Sequence, residues 1–251
     1  FMYIKTLVTA DDFGYSPNIN RAIIDCNEQK RVTELSLMVD CYGTDEAVRY
    51  IKENEVKNVG LHFSLVRLSK GGKVLRNNDY DQILETESQG TLIVDFLEEV
   101  ELFEKLVGFK PSHIIGHKQI ALHPKLVEYI GNYCVKNNCY ARSKVKHKTL
   151  IGAVIPTGFN IGRTTEEKFT FKYGTPEEMY RQYKNDIRDT KGKRQFGSLE
   201  FVFHPGYAGE FEKGLTSFIQ ERIDDANFLL SDYFLRLVEE ENLKLVSSRD
   251  V

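Results

Sequence analysis

Asp11 and Asp12 stand side by side where the apolar run 3–10 gives way to a turn. Carboxylates at the mouth of a buried strand are costly unless something neutralises them, and a metal ion does so directly. Consecutive residues at a strand end point different ways, so two adjacent acids can hold separate jobs. Three of the six histidines also close apolar runs: His62 in Val-Gly-Leu-His-Phe-Ser-Leu, His117 in Ser-His-Ile-Ile-Gly-His, and His204 in Leu-Glu-Phe-Val-Phe-His, just before Pro205-Gly206. One carboxylate with two imidazoles makes a three-ligand, open site with room for water and a substrate oxygen. A second carboxylate can take that water's proton, and a further imidazole can protonate a leaving group. The division suits metal-assisted hydrolysis of an amide or ester. No Gly-x-Ser-x-Gly elbow competes, and no cysteine falls at a predicted rim.

Bringing these groups together requires a parallel fold. Short apolar runs at 3–10, 34–39, 59–65, 112–117, 138–143, 199–204 and 243–247 read as strands. Amphipathic stretches separate them. Ser16-Pro17 caps one helix, Thr44 starts another, 93–107 and 124–136 carry apolar stripes, and Thr175-Pro-Glu-Glu opens a further helix. Strand–helix alternation predicts an α/β fold, a closed or nearly closed barrel of about seven parallel strands, whose strand ends share one rim. A Rossmann sheet is disfavoured because no glycine-rich phosphate loop follows the first strand. Residues 2–251 read as a single domain, with a long loop over 67–90 and an insertion over 144–173. His113 lies on the His117 face one layer deeper, as a buried hydrogen-bonded support. His123 reads as a helix-entry residue and His147 as solvent-exposed.

Composition narrows the function classes. With 28% charged residues and a net charge of -3, the surface offers no global attraction for nucleic acid or an anionic membrane. No apolar stretch reaches bilayer length and no export signal precedes the first strand, which places the protein in the cytoplasm. Cys26, Cys41, Cys134 and Cys139 lack zinc-type spacing and read as free thiols. Nothing in the chain speaks against a homo-oligomer.

Four motifs carry a family resemblance. Thr9-Ala-Asp-Asp-Phe-Gly-Tyr-Ser16, Gly60-Leu-His-Phe-Ser-Leu65, Pro111-Ser-His-Ile-Ile-Gly-His117 and Phe203-His-Pro-Gly-Tyr207 resemble, in order, those of the YdjC-like (ChbG-type) carbohydrate deacetylases. The closing stretch 218–250 is similar to that family's end. The resemblance implies an irregular (β/α) barrel related to polysaccharide deacetylases, acting on small N-acetylated sugars such as chitooligosaccharides with one divalent metal ion, Mg2+ or Zn2+. It implies Asp12, His62 and His117 as metal ligands, Asp11 as base and His204 as acid. Arg142 resembles a family arginine that orients Asp11 or binds substrate, and Tyr207 and Phe63 are candidates for sugar-stacking walls. The chain departs from the family pattern at Ile115 and at Lys118-Gln119-Ile120-Ala121. Those departures leave open a sugar-binding or regulatory module with weakened chemistry, or hydrolysis of another bond such as a phosphoester.

Overall fold

The computed structural model describes residues 3–65, 77–142, 165–170 and 172–251. The strands are β1 (Ile4–Phe13), β2 (Glu34–Leu37), β3 (Val59–Phe63), β4 (His113–Gly116), β5 (Tyr140–Ala141), β6 (Glu167–Thr170), β7 (Ser198–Phe203) and β8 (Leu243–Leu245). The helices are α1 (Pro17–Glu28), α2 (Thr44–Glu53), α3 (Asn77–Thr86), α4 (Gln89–Val107), α5 (Val127–Asn137), α6 (Pro176–Lys193), α7 (Glu210–Lys213), α8 (Gln220–Leu230) and α9 (Asp232–Glu240). The sheet runs β5-β4-β3-β2-β1-β7-β6 and curls into a half-barrel. The described pairings are all parallel. β7 covers Lys5–Ala10 on one side of β1, so β8 (at Ile4–Thr6) and β2 (from Thr9) share its other edge. Among the described residues β5 and β6 end the path without pairing to each other, in keeping with an irregular, incompletely closed barrel of about seven parallel strands.

Alternation along the strands separates two environments. The outer face joins the helices in one apolar cluster that includes Val8, Ala10, Ile19, Ile23, Phe203 and Phe228. The other face is polar and still buried: Thr9, Asp11, Glu34, Ser36, His62, His113 and Glu200 are all at most 2% exposed. Such groups are tolerated away from water only when hydrogen-bonded or paired, and here they bond one another.

Several boundaries differ from those read in the sequence. The stretch expected as a loop over 67–90 is helical from Asn77, with Tyr80 and Leu84 buried, and α4 begins at Gln89 on a Ser88 cap. His117 follows β4 and opens a 3-10 turn (His117–Leu122), in which Lys118 and Gln119 take φ of 47° and 63°. Helix α5 therefore starts at Val127, later than the expected 124. The predicted insertion over 144–173 contains β6, which pairs with β7. His147 and most of that insertion lie outside the described residues, as do positions 67–76 of the expected loop. No helix among the described residues is long and apolar enough to cross a membrane.

Candidate active site

β1 carries both aspartates to one cavity by breaking its own regularity. Its register against β2 shifts between Ala10 and Phe13, and Asp12 adopts a left-handed φ of 67°. A bulge of this kind re-aims a side chain that strict alternation would send to the opposite face. Gly14, at φ 93°, completes the turn, where a Cβ would lie 2.6 Å from the Met38 carbonyl oxygen. Ser16 then caps α1.

Three donor atoms converge here. Asp12 Oδ1 lies 3.0 Å from His62 Nε2 and 3.1 Å from His117 Nδ1, and the two ring nitrogens are 3.3 Å apart. Donors held about 2.0–2.2 Å from a single ion are spaced at close to these separations. The other oxygen of Asp12 accepts from Arg222 at 2.6 Å, which leaves Oδ1 as the carboxylate's contribution. Burial pushes the Asp12 carboxyl up, but Arg222 and then His117 hold it well below the usual carboxylate range. Burial lowers His117, which keeps its ring neutral as a metal ligand requires. The donor set fits a divalent cation.

Asp11 occupies a separate environment. Arg142 donates NH1 to Oδ2 at 2.7 Å and NH2 to Oδ1 at 3.0 Å. Its Nε bonds Glu200 Oε1 at 3.0 Å, and Glu200 also accepts from Thr9 and Tyr140. Against the upward push of burial, the Arg142 charge keeps Asp11 ionised well below the usual range. His204 Nε2 sits 3.9 Å from Asp11 Oδ2, and burial lowers the ring to about 4. Its backbone N–H donates to Asp225 Oδ2 at 2.7 Å, which fixes the end of β7 to α8.

The cavity onto which these groups open has a volume of about 810 Å³. Asp11, Asp12, His62, His117, Arg142 and His204 all line it, with Tyr15, Lys118, Phe218 and Arg222 among the other walls. The sequence marks Arg222 only as part of the closing stretch 218–250 that resembles the family's end, and not as a site residue. It is 2% exposed, and its guanidinium lies 5.6 Å from the Tyr15 ring and 5.9 Å from Phe218. Tyr207 is not among the described lining residues. The chain turns it back onto α1, where its hydroxyl donates to Asp25 at 2.6 Å and Arg21 covers its ring. Phe63 is fully buried and packs edge-on against Phe96, so it is core rather than a sugar wall. Ile115 is buried opposite His62 on the neighbouring strand, and Lys118 stands over the Tyr80 ring.

A carbohydrate deacetylase of Clostridium beijerinckii is 27% identical over 256 residues, covering 99% of this chain and 100% of its own length. A carbohydrate deacetylase of Brevibacillus brevis is 25% identical, covering 97% and 98%. Among solved structures, one from Enterococcus faecalis V583, named as a cellobiose-phosphate cleavage protein, superposes with a TM-score of 0.79 at 17% identity, over 99% of this chain and 98% of that one. The Bacillus cereus polysaccharide deacetylase Bc1974 shares the fold more loosely, with a TM-score of 0.51 at 10% identity over 97% and 91%. The family model for YdjC-like proteins matches residues 5–240, and the chain belongs to that family.

Proposed function

We propose that this single-domain chain is a metal-dependent deacetylase that hydrolyses the N-acetyl group of a small acetylated sugar or oligosaccharide. One observation carries the reading: the Asp12–His62–His117 donor triangle opens onto the same cavity as a second, independently held carboxylate and a further histidine. The names of the full-length relatives support the substrate class.

Asp12, His62 and His117 would hold the ion. Bound there, a divalent cation supplies Lewis acidity, polarising the acetyl carbonyl and acidifying a water. Two imidazoles and one carboxylate suit Zn2+ on ligand softness, and Mg2+ is the alternative. Asp11 takes the proton of the attacking water. With the Arg142 fork on both of its oxygens it is a weak base, matched to a water already acidified. His204 Nε2, 3.9 Å from Asp11 Oδ2, takes on the proton that Asp11 receives from the water and passes it to the departing amine. Burial keeps the His204 ring neutral at rest and makes it release readily any proton it receives. The products are acetate and the free amine.

Acetate release from N-acetylated mono- to oligosaccharides, followed with and without added divalent ions, tests the reading. Metal-dependent release supports it. Saccharide binding without release, across the panel and several metals, replaces it with a sugar-binding module.

A further inference from the structure

A line of buried hydrogen bonds runs from Asp11 to the floor of the half-barrel. Ser36 Oγ lies 2.9 Å from Asp11 Oδ1 and 2.9 Å from His113 Nε2. His113 Nδ1 lies 3.1 Å from Glu34 Oε2 and 3.0 Å from Ser112 Oγ. Glu34 also accepts from the Ser112 hydroxyl at 3.0 Å and from the Ser248 backbone N–H at 2.6 Å. Asp11, Ser36, His113 and Glu34 are each no more than 2% exposed. Tyr140 packs edge-on against the His113 ring at 6.5 Å, its hydroxyl committed to Glu200.

Proton counting fixes the direction of this line. Both oxygens of Asp11 already accept from Arg142, so toward Ser36 the carboxylate can only accept again. Ser36 has one hydroxyl proton, and it goes to Asp11. The Ser36 oxygen then presents lone pairs to His113 Nε2, which must donate. At the far side Nδ1 faces the Glu34 carboxylate and the oxygen of a serine whose own proton is on Glu34. It must donate too. Both ring nitrogens carry protons, and Glu34 is the counter-charge. Gly60 leaves the ring its space, since a Cβ there would lie 2.3 Å from His113 Cγ.

Resting on the reading of Asp11 as base, we infer that Ser36 and His113 are positioning residues: His113 donates from both nitrogens, turns the Ser36 hydroxyl onto Asp11 Oδ1, and so holds Oδ2 toward the cavity. Their effect on the reaction passes through Asp11, because neither side chain is among the described groups lining the cavity.

The test compares Ser36→Ala and Asp11→Asn for kcat, KM and bound metal, and records 15N-detected ring resonances of His113 in the wild type. Ser36→Ala is expected to lower kcat about ten- to hundredfold while KM and metal content hold, in line with the cost of losing partners around a metal centre. The wild-type His113 ring is expected to show two protonated nitrogens at neutral pH, and Glu34→Gln only one. Full turnover in Ser36→Ala beside an inactive Asp11→Asn overturns this inference alone, whereas full turnover in Asp11→Asn overturns the base assignment as well. Should Ser36→Ala not fold, the wild-type resonances decide: a single protonated ring nitrogen rules out the donor line.

Discussion

Arg222 and Asp12, separated by 210 positions, meet in a buried ion pair, NH2 to Oδ2 at 2.6 Å. The guanidinium neutralises Asp12 from behind while leaving Oδ1 to the histidines. Breaking a buried pair by removing one partner costs about 3–5 kcal/mol, because the remaining charge loses its compensation. Arg222→Met is expected to lose stability of that order in metal-free protein, read from denaturant midpoints, and to recover part of it when a divalent ion is added. An unchanged midpoint would count against the pair as a structural element.

Metal removal gives a second expectation. Because a ligand that binds only the folded state stabilises it, saturation at about a hundred times Kd adds about 2.7 kcal/mol. Chelation should therefore lower Tm and abolish acetate release, and both should return with Zn2+ or Mg2+. His62→Ala should show neither the Tm rise on metal addition nor the activity. Release that persists after exhaustive chelation would contradict a metal-dependent reaction.

Gly60 offers a purely steric test. A methyl group at this position would meet both the His113 ring and the His113 carbonyl oxygen, at 2.3 and 2.4 Å. Overpacking of a filled interior costs about 1–3 kcal/mol, and backbone on one side of the clash leaves little room to relax. Gly60→Ala should be destabilised by at least that amount in urea unfolding. A neutral result would mean that β3 and β4 can separate at no cost.

Glu34 predicts a pH signature. Burial alone would raise its carboxyl, but the His113 hydrogen bond and charge, with the Ser248 N–H and the Ser112 hydroxyl, bring it below its ordinary 4.5. A carboxyl lowered in the folded state contributes stability that is complete above the unfolded value and lost as pH falls through the folded one. The wild type should thus exceed Glu34→Gln in stability at neutral pH, with the gap closing below about pH 4.5. Urea titrations of both proteins across that range measure it, and a gap that widens in acid would reverse the assignment.

The convergence at the rim was legible because strand ends announce themselves locally. Short apolar runs that carry an acid pair or a histidine late in the run put Asp11, Asp12, His62, His117 and His204 at or near strand ends without any tertiary information. Arg222 was not legible: Glu221, Asp224 and Asp225 surround it on α8, and an arginine directed inward reads like one directed outward. Glu200 did carry a signal, being the lone charge in Ser-Leu-Glu-Phe-Val-Phe and two alternations before His204. Helix α3 was hidden by its polar composition, although Tyr80 and Leu84 stand at helical spacing. Tyr207 went astray because nothing near Pro205-Gly206 tells which way the chain leaves the strand, and its partner Asp25 lies on α1.

The sharing of one edge of β1 by β2 and β8 has a consequence for biosynthesis. Ile4–Thr6 is synthesised long before its partner Leu243–Leu245. Until then Glu34 lacks the amide of Ser248. A nascent chain stalled before that point would present an almost full set of rim residues above an unsealed base.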